Sequence, residues 1–341
     1  MDTQLIKFSE TISYEESLNH PAVKQAADLL RAGQIVAFPT ETVYGLGANA
    51  FDDGAVAAIF AAKGRPADNP LIVHISRIDQ LYEVAKPNEL ALALARAFWP
   101  GPLTLILPRQ EVVGDIVTAG LDTVGVRMPS HPLAKALIEL TGLPVAAPSA
   151  NTSTKPSPTT GEHVFTDLKG KIPLILDAGM VDIGLESTVL DLCGPQPIIL
   201  RPGFISAEEL QTYCGNVAYA GPIKSGVPAA PGMKYPHYSP KGEVRLTSPQ
   251  EIATIWNKEN LREKIPLLVV CQETAELLPQ DAQPFVFVIS RRNDLPAFAR
   301  NIFAAFRLAD ARGASIVIVE TVLEEGLGIA IMNRLRKASG L

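Results

Sequence analysis

Phe38-Pro39-Thr40-Glu41-Thr42-Val43-Tyr44-Gly45-Leu46-Gly47 decides how this chain is read. It follows a strand-like apolar run at 35–38 and leads into Gly45-Leu46-Gly47-Ala48-Asn49-Ala50, a formal G-x-G-x-x-A. A dinucleotide fold puts such a turn directly after its first strand, with an acidic residue ~20 positions on. Here Pro39 to Tyr44 intervene, and Lys63 and Arg65 stand downstream. Cations suit phosphate, not a ribose hydroxyl, so the stretch reads as a polar loop in a different α/β sheet, with no NAD or flavin.

Outward from this loop, helical patterns cover 21–32, 54–62, 89–99, 132–140 and 207–213. The first has Asn19 or His20 near its start, Pro21 early and Gly33 after its end. Short strands are expected at 71–75, 103–107, 124–128, 145–147, 174–176, 188–192 and 198–200. Helices interspersed without strict alternation predict a mixed sheet. Residues 214–242 are about one-third Gly plus Pro, which reads as a linker or long loop. Its Lys234, Tyr235, His237, Tyr238 and Lys241 suit a segment that docks onto something; the alternative is a plain spacer. Beyond it, strands at 267–270, 285–289 and 315–319 alternate with helices at 273–278, 296–311 and 328–338. That order predicts a small three-layer, mostly parallel α/β domain. The expected division is 1–213, a linker at 214–242, and 243–341.

The bulk properties agree with two domains. The chain has 341 residues, 47% hydrophobic and 19% charged, enough to bury more than one core. A net charge of −6 argues against wholesale coating of nucleic acid. The start, MDTQLIKFSE, lacks a basic segment followed by an apolar run, and no apolar stretch approaches the ~20 residues of a membrane span. Cys193, Cys214 and Cys271 are widely spaced and fit a reducing cytoplasm.

There is no G-x-x-x-x-G-K-[ST], G-x-S-x-G or H-E-x-x-H. The five histidines do not fall at zinc-ligand spacing, so no structural zinc is expected. What remains are polar loops after strands, where open α/β sheets place ligands. Lys63 and Arg65, stiffened by Pro66 and Pro70, share a face if the segment is extended and would suit a polyphosphate; the alternative is a solvated pair. Arg127 lies in an apolar strand and needs a partner, either an internal carboxylate or a substrate's. Ser149, Asn151, Ser157 and Ser187 either bond a ligand or cap turns. Arg201, before Pro202-Gly203, either grips phosphate or base or faces solvent, and Gly326 and Gly328 before the last helix are either a weak dinucleotide-type glycine signal or a tight strand-to-helix turn.

PTETVYGLG, KGRPADNPL, VGVRMPSHP, APSANTSTKPSP, GLESTVLDL and ILRPG occur in that order. Together they resemble the YrdC-like domain of the threonylcarbamoyl-AMP synthase family over roughly 20–210, and PGMKYPHYSP with the C-terminal domain resembles its longer, two-domain branch. The resemblance implies a twisted mixed sheet around a basic pocket, then a smaller Rossmann-like domain. It implies that Thr42, His74, Thr123, Arg127, Ala147 and Ser187 line a threonine site. Lys63, Arg65, Asn69, Ser149, Ser157 and Arg201 would surround ATP, with Lys63 and Arg65 catalytic. His237, with Tyr235 and Tyr238 beside it, would close over the nucleotide. L-threonine, bicarbonate and ATP with Mg²⁺ would give threonylcarbamoyl-AMP, pyrophosphate and water, the first step of threonylcarbamoyladenosine formation in tRNA. The implied partners are the tRNA threonylcarbamoyl transferase machinery and, weakly, tRNA itself.

Two rival readings are carried forward. One is carbamoyl transfer through a carbamoyl-adenylate, as in hydrogenase-maturation proteins, which carry zinc-finger segments that this chain lacks. The other is a structured-RNA-binding module, which would show salt-sensitive RNA affinity and no turnover.

Overall fold

The apolar runs become the strands of a mixed sheet in a computed structural model that describes residues 2–221, 238–258, 261 and 264–341. The described chain divides into two compact units. The first comprises 2–153, 158–182 and 186–221; the second comprises 154–157, 183–185 and 238–341.

Strands of the first unit are β1 (Gln4–Lys7), β2 (Val36–Phe38), β3 (Gly45–Asn49), β4 (Ile72–His74), β5 (Leu103–Pro108) and β6 (Thr123–Arg127). They continue with β7 (Val145–Ala146), β8 (Leu174–Asp177), β9 (Thr188–Asp191), β10 (Ile198–Arg201) and β11 (Ala218–Tyr219). Their order is β1-β8-β2-β3-β7-β4-β6-β5-β9-β10-β11. The decisive loop joins the antiparallel pair β2 and β3. The GLGAN stretch is therefore strand, not a phosphate-binding turn. Gly47 explains why: a Cβ there would sit 2.7 Å from Phe38 and 2.8 Å from Val145, so glycine lets Phe38 lie across the strand.

Strand alternation sends side chains into two cores. Ala37, Leu46, Val73, Val124, Val126 and Leu105 enter one, with helices Asp53–Lys63 and Glu89–Phe98. Val36, Phe38, Val145 and Leu174 enter the other, with helices Pro21–Arg31 and Pro132–Thr141. Each of those two helices begins with a proline and is capped by the Nδ1 of the preceding histidine, His20 or His131.

The second unit holds β12 (Glu243–Thr247), β13 (Pro266–Val270), β14 (Val286–Val288) and β15 (Ile316–Glu320) in the order β12-β15-β13-β14, and every pairing is parallel. Strand β12 and helix Pro249–Lys258 add a strand and a helix to the expected alternation. β12 is a polar edge strand, so its apolar signal is weak. No helix among the described residues is long and apolar enough to cross a membrane.

Candidate active site

Arg127, the last residue of β6, carries the guanidinium around which one rim of the sheet is organised. It is buried, and so is its partner Glu41; Nη2 stands 2.7 Å from Glu41 Oε1, close but not aligned as a hydrogen bond. Nη1 donates to Thr42 Oγ1 at 2.9 Å and Nε to Gly101 O at 3.3 Å. Glu41 Oε2 also accepts from Ser130 N at 3.1 Å. The loop holds its shape through Thr40, whose hydroxyl donates to Val43 O at 2.6 Å and accepts from the amides of Thr42 and Val43. The internal ion pair that the sequence left open is thus present. Sequence reasoning missed Glu41 itself; the signal was the carboxylate beside Thr42 and the need for a partner at Arg127.

His74 ends β4 in register with Arg127. Its ring meets Phe38 edge-on at 6.5 Å, and its Nδ1 is buried with no hydrogen-bond partner. Burial first, and the Arg127 charge second, push the imidazole down to about 3, so it is neutral at physiological pH. The rim therefore combines a buried cation, a buried anion and a neutral ring nitrogen.

Lys63 and Arg65 do not share a face of an extended segment. Lys63 is the last residue of helix Asp53–Lys63, and Gly64 caps it at φ 60. Lys63 is buried, and its Nζ donates to Ser149 O, to Asn151 O at 2.7 Å and to Asn151 Oδ1 at 3.3 Å. Ser149 Oγ in turn donates to Asn151 Oδ1 at 2.6 Å. Arg65 is half-buried and bonds Asn69 O at 3.3 Å. The Asn69 side chain is buried with both amide atoms unpartnered, which is costly in the absence of a ligand. Lys63, Ser149 and Asn151 thus form one knot, and Arg65 with Asn69 another on the loop that follows.

Ser187 precedes β9 and is buried; its Oγ lies 2.8 Å from Thr104 Oγ1 and accepts from Arg201 Nη2 at 3.1 Å. Arg201 Nε donates to Ser187 O at 3.1 Å. Arg201 is therefore not a surface residue: it is buried and holds Ser187. Gly203 passes so close that a Cβ would lie 2.3 Å from Thr188 N. Ala147 is buried, its amide donating to Ile72 O at 2.9 Å. Thr123 opens β6 on the face Arg127 shares, but four residues away, about 13 Å along the strand, and is not brought to that rim. Ser157 is buried and groups with the second unit. His237 and Tyr235 lie outside the described residues. Tyr238 is an interior residue of the second unit, stacked on Phe303 at 5.1 Å with Arg334 5.7 Å over its ring, and these contacts, not a nucleotide, fill its faces. Among the described residues no three His, Cys, Asp or Glu side chains converge as a metal site.

Comparison with known proteins fits this arrangement. Residues 28–203 match the Sua5–YciO–YrdC family, described as telomere recombination. Residues 205–340 match the family described as threonylcarbamoyl-AMP synthase, C-terminal domain. Fold and site thus define a YrdC-like α/β domain followed by a second α/β domain of its own type. Threonylcarbamoyl-AMP synthase of Pyrococcus abyssi is 48% identical, over 96% of this chain and 97% of that one. That of Bacillus subtilis is 45% identical over 96% of each. The crystal structure of P. abyssi Sua5 complexed with L-threonine aligns with a TM-score of 0.89 at 45% identity, covering 99% of this chain and 98% of the other. The chain belongs to the threonylcarbamoyl-AMP synthase family.

Proposed function

We propose that this chain converts L-threonine, bicarbonate and ATP into threonylcarbamoyl-AMP, pyrophosphate and water, with the chemistry in the first unit. One observation carries the reading: end-to-end likeness, in both units, to a protein crystallised with L-threonine. Arg127 binds the α-carboxylate. Of its five N–H groups one reaches Thr42, one Gly101 and one faces Glu41, which leaves two for a carboxylate. His74, neutral, and Ser187, held by Arg201, supply hydrogen-bonding groups; Thr42 and Ala147 complete the proposed lining.

Threonine's amine and bicarbonate give N-carboxy-threonine. A carbamate oxygen then attacks the α-phosphorus of ATP, and pyrophosphate leaves. ATP enters as its Mg²⁺ complex, so the metal is part of the substrate. Arg65, Asn69, Ser149 and Arg201 surround the nucleotide. Lys63 supplies fixed positive charge and holds the Ser149–Asn151 turn. Tyr238 anchors its own segment by stacking on Phe303. We place the reaction in the cytoplasm, with the product passed to the transferase that modifies tRNA. The test is pyrophosphate release by the full chain. Release should require threonine, bicarbonate and ATP together; release without threonine, or RNA binding with no turnover, would reject the reading.

A further inference from the structure

Glu41 is a buried carboxylate beside Arg127. Glu41 is 4% exposed, yet its Oε1 has no aligned hydrogen-bond donor, although Arg127 Nη2 is 2.7 Å away. A carboxylate kept only to neutralise Arg127 would align with it, because an aligned charge-assisted bond is the stronger contact. Leaving a buried acceptor open is costly unless a donor arrives. The nearby His74 Nδ1 is a second buried polar atom with no hydrogen-bond partner, on a ring held neutral. The rim thus pairs one cation, with N–H groups to spare, and one open carboxylate acceptor. That pattern complements an amino-acid zwitterion, whose carboxylate and ammonium are separated by one carbon.

We propose that Glu41 Oε1 receives the substrate's α-ammonium and accepts its proton during N-carboxylation. This rests on reading the cleft as a threonine site. An ammonium has no lone pair, so it must lose a proton before it can attack carbon. The step balances. One N–H proton moves to Glu41, leaving R–NH₂ and a protonated carboxyl. The nitrogen lone pair forms the N–C bond to bicarbonate, whose hydroxyl leaves as water with a second amine proton. The carbamate, R–NH–COO⁻, remains, and Glu41 returns its proton to solvent. Glu41 also ties Ser130 and Arg127 together, so the test must separate chemistry from positioning.

Calorimetry with L-threonine and with (3R)-3-hydroxybutanoate, the same acid without its amine, makes that separation. The wild-type chain should bind threonine at least ~10-fold more tightly than the amine-free acid. Glu41→Gln, which keeps the shape and an acceptor for Ser130, should lose at least ~10-fold for threonine and nothing for 3-hydroxybutanoate. Its turnover at saturating threonine should fall at least ~10²-fold. Equal loss for both acids, unchanged threonine affinity, or wild-type turnover would overturn the proposal. Should the variant not fold, the wild-type ratio decides by itself, since equal affinity for the two acids overturns it. Failure of the wild-type chain to bind threonine at all would instead reject the threonine reading.

Discussion

Lys63 Nζ donates to the carbonyl oxygen of Asn151 across 2.7 Å, tying the end of a helix to a turn 88 residues further along the chain. With Ser149 O and Asn151 Oδ1 it satisfies all three ammonium protons. Lys63→Met should therefore lose stability, by about 2–4 kcal/mol from stranded acceptors, as well as at least ~10² in turnover. Arg65→Ala should lose the same turnover with less than about 1 kcal/mol of stability, because Arg65 is only half-buried. Urea unfolding and pyrophosphate release measure the two effects. Near-normal pyrophosphate release from both variants would refute their assignment.

Removing Arg127 strands a buried carboxylate. Arg127→Met should cost about 3–5 kcal/mol and abolish threonine binding. Adding Glu41→Gln should recover most of the stability, since no charge is then left unpaired, but not the binding. Threonine affinity that survives Arg127→Met would exclude the carboxylate clamp.

The neutral His74 makes stability depend on pH. Its folded-state value is about 3, below the ordinary 6.5, so the unfolded chain binds the extra proton. Its contribution is intact above about pH 6.5 and is lost progressively as pH falls towards 3. Burial lowers His131 as well, so the slope has two sources. Denaturant titrations between pH 4 and 7 should show a shallower slope in His74→Gln than in the wild type. Identical slopes would mean that His74 is not held neutral.

Gly203 sets the position of Ser187. A Cβ 2.3 Å from Thr188 N must push Arg201-Pro202-Gly203 away from the Ser187 backbone. Gly203→Ala should cost about 1–3 kcal/mol and weaken threonine affinity. Wild-type thermal stability and affinity together would show that this contact is not limiting.

Much of this was legible before the fold. The mixed sheet, the second parallel α/β domain and the need of Arg127 for a partner all follow from apolar periodicity and the cost of a buried charge. Four features were not. Glu41 is brought to Arg127 by chain topology, which local pattern does not reveal. The GLGAN strand looks like a turn, because its glycines serve Phe38 on the neighbouring strand instead of a ligand. The knot at Lys63 depends on an alanine-rich helix running one residue further than expected, to a cap that Gly64 does signal. Thr123 came from motif likeness alone, and its place at the far end of β6 was not visible in the words themselves.

The most direct measurement follows labelled carbon. The full chain is incubated with ATP, L-threonine and ¹³C-bicarbonate, and the nucleotide products are resolved by mass spectrometry. An AMP adduct of threonine carrying one ¹³C, formed together with pyrophosphate, is the expected product. ADP with inorganic phosphate, or a threonine adduct of AMP without the label, would contradict the proposed reaction.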